Sequence, residues 1–270
     1  LGGDGSGDEF RDRFEIERRL REDGYVRDFV ALDRKSGARV RLRVIGPPGF
    51  AYYEALAQAL ATAAPLRHRS IAIIPEVIRT GHYIVLAGPY VEGETLQRRL
   101  ETEGQSDIGW TVRVAGQVAE AVAYAHASGV LHGDLCPEVI LLHDEGVQVS
   151  EFGWALASQS VPDGGILAGH LAYMAPERLR SGRSIDVRAD VYSLGAVVYH
   201  ALGGQPPFGA DGGTFAAHDE RRRATPLRQL RAEIPNKVEA AVLRALAPKP
   251  AGRFSSVEGF AAALAVSRLK

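Results

Sequence analysis

Chemistry in this chain of 270 residues has to come largely from carboxylates, histidines and arginines, because other reactive side chains are scarce. Lysine occurs only at positions 35, 237, 249 and 270, against 28 arginines, and asparagine occurs only at Asn236. A role that calls for lysine or asparagine elsewhere has none to draw on. Cys136 is the single cysteine, which excludes a disulfide framework and a multi-cysteine zinc site. No cysteine motif surrounds it, so it reads as an inert packing residue rather than a nucleophile. Six strings carry the distinctive spacing: Val91-Glu92-Gly93-Glu94-Thr95-Leu96, His132-Gly133-Asp134-Leu135-Cys136-Pro137, Glu151-Phe152-Gly153, Tyr173-Met174-Ala175-Pro176-Glu177, Asp190-Val191-Tyr192-Ser193-Leu194-Gly195, and Pro248-Lys249-Pro250-Ala251-Gly252-Arg253-Phe254.

The elements that must position these strings fall into two kinds. Leu1 to Glu9 is rich in Gly and Asp without periodicity and is expected to be an unstructured linker, placed at residues 1–10. Phe14–Leu20, Tyr25–Ala31 and Arg39–Ile45 are short β-type runs with charged or glycine-bearing turns between them. A helix is expected over Tyr52–Ala64, then strands near Ile71–Ile78 and His82–Ala87. After Tyr90 the pattern turns helical: Thr95–Thr102, Trp110–Ser128, Arg188–Leu202, Lys237–Ala247 and Val257–Val266, with short strands flanking Leu131–Leu142 and Val147–Val149. The expected class is α+β, a β-rich lobe over residues 11–90 followed by a helical lobe over 91–270, with a cleft between them. The chain carries 32 basic and 33 acidic residues, so the electrostatic footprint of a nucleic-acid binder is missing. No run of 18 apolar residues occurs, so no membrane span or signal peptide is expected and a cytoplasmic location follows.

In order and spacing the six strings resemble the landmarks of a protein kinase, and of bacterial Ser/Thr kinases in particular. The resemblance covers roughly Phe14 to Leu269 and implies a two-lobed kinase-like fold. Phosphoryl transfer in that family needs held phosphates, oxygen-bound metal ions and a base near the acceptor hydroxyl. The resemblance assigns Asp134 as the base, with His132 as its structural companion. It also marks Glu177 with Arg253 as a buried ion pair, and Asp190 as a brace for the catalytic-loop backbone.

Against that pattern the reaction positions depart one after another. The glycine-rich loop should fall in Arg21-Glu22-Asp23-Gly24-Tyr25-Val26, where only Gly24 remains, so a plain hairpin is expected. Arg43 stands at the phosphate-binding lysine, and arginine is not a conservative stand-in at a packed site. Arg41 and Asp28 stand where an alanine and a valine form the apolar roof over adenine. Arg41 and Arg43 are two residues apart, so with Asp28 they should share one face of paired strands and form an ion pair there. The hinge is Pro89 to Val91, offering the Pro89 carbonyl and the Val91 N–H, with Leu141 as an apolar floor. The helix glutamate that orients the lysine is replaced near Ala59, and Glu54 lies five residues too early.

The catalytic loop departs as well. Gly133 takes the place of an arginine that docks an activation-loop phosphate, with Arg178 or Arg180 as the candidate substitute, and Cys136 takes that of a lysine. Val139 stands where an asparagine binds the second metal, and a hydrocarbon supplies no ligand to magnesium. Glu151 replaces the metal-binding aspartate and retains at most weak affinity. His170 replaces a threonine near the base, and Ser158 and Ser160 are the hydroxyls left between Trp154 and Gly169. A pseudokinase is therefore expected: an interaction or scaffold module with protein partners, signalling proteins among them, and no cofactor. The competing expectations are an active or weakly active Ser/Thr kinase using ATP and magnesium, with Asp134 as base and Arg43 and Glu151 as substitutes, and a nucleotide-binding sensor.

Overall fold

A computed structural model describes residues 6–23, 26–46, 50–72, 76–80, 83–153, 168–179, 185–209 and 223–265. Among these, one compact unit takes the residues up to Pro65 and those between Ile73 and Glu92. The other takes Leu66–Ala72 and the residues from Gly93 onward.

The first unit is built on one antiparallel sheet of β1 (Phe14–Asp23), β2 (Val26–Asp33), β3 (Ala38–Ile45), β4 (Glu76–Thr80) and β5 (Tyr83–Pro89), in the order β1-β2-β3-β5-β4. Strict alternation in Val40-Arg41-Leu42-Arg43-Val44 sorts side chains onto two faces. One face carries the core: Ala31, Leu42, Val85 and Ala87, flanked by Phe29, Val40, Val44 and Ile78. Arg41 and Arg43 therefore stand on the other. β1 and β2 pair as far as Asp23↔Val26, with register shifts between Ile16 and Arg18 and between Arg19 and Arg21; the turn at Gly24, where a plain hairpin is expected, lies outside the described residues.

Helix α1 (Ser6–Arg13) begins inside the stretch expected to be unstructured. Eight polar-rich residues have no helical stability of their own in water. What fixes them is Phe10, buried in the sheet core with its ring centroid 5.1 Å from that of Phe14. Arg13 adds a clamp, donating to Asp33 at 3.2 and 3.3 Å and to Glu76 at 2.8 and 3.2 Å. Its guanidinium holds the carboxyls of Asp33 and Glu76 below their ordinary values, against the opposing effect of burial. A lowered carboxyl contributes stability above its unfolded titration range and loses it as pH falls through the folded one. Urea melts should therefore show wild type more stable than Asp33→Asn at pH 7, with the gap closing below about pH 4. A gap that persists unchanged into acid would remove Arg13 as its cause.

Helix α2 (Phe50–Ala63) buries Leu56, Ala59, Leu60 and Ala63 at helical spacing. Of the strand expected over Ile71–Ile78, residues 73–75 lie outside the described residues; β4 spans Glu76–Thr80, while Ile71 makes a parallel bridge to Val149 in the second unit.

The second unit holds α3 (Leu96–Glu103), α4 (Ile108–Ala127), a sheet of β6 (Glu94–Thr95), β7 (Ile140–His143) and β8 (Gly146–Val149), then α5 (Val187–Gly203), α6 (Leu227–Leu230), α7 (Asn236–Ala245) and α8 (Val257–Ala265). Side-chain caps fix where the helices start. Thr95 accepts from the Arg98 amide at 3.2 Å, Asp107 from Trp110 at 2.7 Å, and Asp186 from Arg188 at 2.9 Å. Helix α5 is buried from Ala189 to Gly203 and packs against α4, α7 and α8. A helix enclosed on all sides is where an internal carboxylate such as Asp190 can be presented to neighbouring loops. Gly195 lets α7 approach: a Cβ there would lie 2.8 Å from that of Ala245. Among the described residues, no helix is long and apolar enough to cross a membrane.

Candidate functional site

In the first unit, pairing of β2 with β3 sets Asp28 opposite Arg43 and Val30 opposite Arg41. Asp28, 1% exposed, accepts from Arg43 Nε at 2.8 Å through one oxygen. Its other oxygen accepts from Arg43 Nη2 at 3.1 Å and Arg41 Nη2 at 2.5 Å. Burial alone would raise the carboxyl, but the two guanidiniums, Arg43 foremost, outweigh it and hold Asp28 well below the usual carboxylate range. Arg41 is held less completely, its side chain 34% exposed and its Nε buried without a partner. The sequence placed these three side chains on one face, and the register brings all three into contact.

The remaining expected positions of this unit are now placed. Pro89 ends β5, exposed and opposite Val40, and Val91 follows half-buried. Ala59 is buried on α2 and Glu54 is exposed on the same helix. Neither offers a carboxylate to the cluster on β2 and β3.

In the second unit, the segment 131–136 is fixed from beneath by Asp190 of α5. This fully buried carboxylate accepts from the Gly133 amide at 2.7 Å and the His132 amide at 3.0 Å, and is bonded to His126 Nε2 at 2.7 Å. Burial pushes Asp190 up, while His126, His132 and the Gly133 amide pull it lower overall. His132 lies entirely inside, its ring bonded to the Ser150 carbonyl at 2.9 Å and set edge-on to Phe152 with centroids 4.8 Å apart. Burial keeps its proton affinity low in spite of Asp190 and Asp134, so this imidazole is a packing and orienting group. The Asp134 amide donates to its Nδ1 at 3.2 Å.

The Asp134 carboxylate is engaged by Arg178, whose Nη1 donates to Oδ1 at 3.1 Å and also to the Gly133 carbonyl. Val139 is 1% exposed, and even its carbonyl is taken, accepting from the Ser150 amide at 2.9 Å and the Ser150 hydroxyl at 3.2 Å. Cys136 is buried with Sγ 3.9 Å from a Glu138 oxygen. Glu151 takes φ of 69°, a left-handed conformation uncommon outside glycine. Leu141 sits in β7, half-buried and opposite Thr95 and Gln148. The side chain of His170, and the residues Ser158, Ser160 and Arg180, lie outside what the structure describes. Among the described residues, no group of three or more His, Cys, Asp and Glu side chains is arranged to hold a metal ion.

Arg253 and Glu177 form the expected buried pair, Nη1 to Oε1 at 2.6 Å and Nη2 to Oε2 at 2.8 Å. The sequence assigned Arg178 only as a substitute phosphate-docking group. It held no signal for the contact with Asp134, because 44 positions separate the two. His126 as a partner of Asp190 was also missed, because 64 positions separate the two and no local pattern marks the pairing.

Comparison with known proteins bears on the family of the chain. The model of the protein kinase domain family matches residues 52–262. Serine/threonine-protein kinase PknB of Mycobacterium leprae is 34% identical over 206 residues, covering 72% of this chain and 32% of that protein. PknB of Mycobacterium tuberculosis is 31% identical over 263 residues, covering 91% of this chain and 41% of its relative. The chain thus spans 32% to 41% of the length of these curated relatives. Among solved structures, the Mycobacterium tuberculosis PknI kinase domain superposes with a TM-score of 0.77 at 24% identity, over 93% of this chain and 94% of that one. At that identity the likeness establishes the fold.

Proposed function

The chain belongs to the protein kinase domain family, with bacterial Ser/Thr kinases among its relatives, and we propose that this member binds partner proteins and has given up phosphoryl transfer. The observation that carries this reading is the pairing of Arg41 and Arg43 with the buried Asp28. By the family pattern its positions are the adenine roof and the phosphate-binding lysine. A flat ring needs apolar surface there, and a carboxylate held by two guanidiniums offers the opposite. Arg43 is spent on Asp28, so the cation at the lysine position is already neutralised.

Metal chemistry fits the residues no better. Magnesium requires oxygen donors, and Val139 has none in its side chain while its carbonyl accepts from Ser150. Glu151 alone keeps a carboxylate at a metal position. Neither ATP nor magnesium is therefore assigned to this chain. What the sequence preserves is scaffold: Asp190 under the loop, Glu177 with Arg253, and His132 against Phe152. The reading assigns the domain protein partners in signalling, in the cytoplasm, and no nucleic acid.

A second reading rests on the relatives, which are named as Ser/Thr kinases, and on the survival of Asp134. It makes the chain an active or weakly active Ser/Thr kinase using ATP and magnesium, with Asp134 as base and Arg43 and Glu151 as substitutes. Incubation with labelled ATP, magnesium or manganese, and generic acceptor proteins separates the two. The expected result is no incorporation above that of Asp134→Asn. Incorporation that Asp134→Asn abolishes hands the site to the second reading.

A further inference from the structure

Arg178 and Glu177 are neighbours in sequence with opposite attachments. Glu177 is pinned by Arg253, while the Arg178 side chain reaches Asp134 and the Gly133 carbonyl. Both charges of the Arg178–Asp134 pair are largely withdrawn from water, at 8% and 13% exposure. The Arg178 amide donates to the Ala175 carbonyl at 3.0 Å, so its backbone is fixed as well.

We propose that Arg178 is a positioning residue that locks the catalytic loop. It returns from a distant segment the cation that the loop lost where Cys136 stands, and the arginine contact it lost at Gly133. Exposed ion pairs are worth little because water competes for both partners, but here one guanidinium holds a carbonyl and a carboxylate on adjacent residues. The loop is gripped from two sides: Asp190 takes the amides of His132 and Gly133, and Arg178 takes the Gly133 carbonyl and the Asp134 side chain. Gly133, at φ of 73°, occupies a left-handed conformation that suits glycine. With the loop held in this way, an acceptor hydroxyl competes with Arg178 for the Asp134 carboxylate. A phosphate on the segment before Tyr173 finds this guanidinium already committed. The loop thus keeps one conformation without modification, which suits a constitutive docking surface and rests in that respect on the reading above.

A double-mutant cycle tests the lock through stability, which does not depend on transfer. Arg178→Met should lower Tm by about 4 °C in the wild-type background and by less than half as much in Asp134→Asn. Amide exchange at Gly133 and Asp134 should accelerate at least tenfold in Arg178→Met, with Arg178→Lys recovering part of the protection. If Arg178→Met does not fold, Arg178→Lys and Asp134→Asn form the same cycle. Additive losses, with loop exchange unchanged, overturn the lock whatever the labelling assay shows. A gain of Asp134-dependent labelling in Arg178→Met would instead support the lock while sinking the absence of transfer.

Discussion

Titrated calorimetrically with ATP or ADP, with or without magnesium, the wild-type chain should show no dissociation constant tighter than about 100 μM, and Asp28→Val with Arg41→Ala should tighten binding at least tenfold. The physical case is the state of Asp28. Its carboxylate is buried and satisfied by three hydrogen bonds from two guanidiniums, so a ring laid on that face must break the pairing or bury charge against an apolar surface. Leaving a buried charge unpaired costs several kcal/mol, set against the roughly 8 kcal/mol of an ordinary micromolar ligand. Both substitutions are needed together. Asp28→Val alone would leave Arg41 and Arg43 as like charges on adjacent positions of one face, while Arg41→Ala alone leaves Asp28 paired with Arg43 through both oxygens. The opposing view is that Arg41, a third exposed and with its Nε unpartnered, swings away or stacks on the adenine as a cation–π partner. In that event wild type binds below 100 μM, Arg41→Ala weakens it, and the occluded face is disproved.

The second large effect is on stability. Arg253→Met should cost about 3–5 kcal/mol, because removing one partner of a buried pair strands the other. Glu177 is 7% exposed, so its charge would have little water to turn to. The guanidinium also serves the carbonyls of Ala247 at 2.8 Å, Arg188 at 2.9 Å and Pro248 at 3.1 Å, all of which would lose their donor. In a chain of this size that loss corresponds to a fall in Tm of about 10 °C. Changing both partners, in Glu177→Gln with Arg253→Met, removes the stranded charge and should recover part of the loss. Thermal melts of the three variants measure this directly. A shift under about 2 °C for Arg253→Met would mean that the pair is not holding the segment after Tyr173 to the last helices.

Much of this architecture was legible because it follows from short-range periodicity. Helices α4, α5 and α8 start and stop within a residue or two of the limits read from apolar spacing, with side-chain or glycine caps at several of the ends. The charged trio was legible for the same reason: alternation along β3 puts Arg41 and Arg43 on one face, and one strand register adds Asp28. Helix α1 was not, since its composition argues for no structure and only the burial of Phe10 and the clamp at Arg13 make it fold. Ile71 was assigned to the wrong unit because a single bridge to Val149 leaves no pattern in the residues around it. Arg178 was hidden for a related reason. Its charge was visible, but which carboxylate it meets is decided by how the segment around Glu177 is anchored.

The position of the trio along the chain fixes when it can form. Asp28 lies 13 residues from Arg41 and 15 from Arg43, joined through a tight turn in which Gly37 adopts φ of 71°. Glu177 and Arg253 are 76 residues apart. Closing a short loop costs less entropy than closing a long one, and chains are synthesised from the N-terminus, with domains folding as units as they emerge. The trio is therefore a local contact closed by one hairpin turn, whereas the Glu177–Arg253 pair waits on the last helices. On the reading that this face is closed to nucleotides, the steady-state level of the chain in the cell should not depend on nucleotide supply, as it does for proteins that fold around a cofactor.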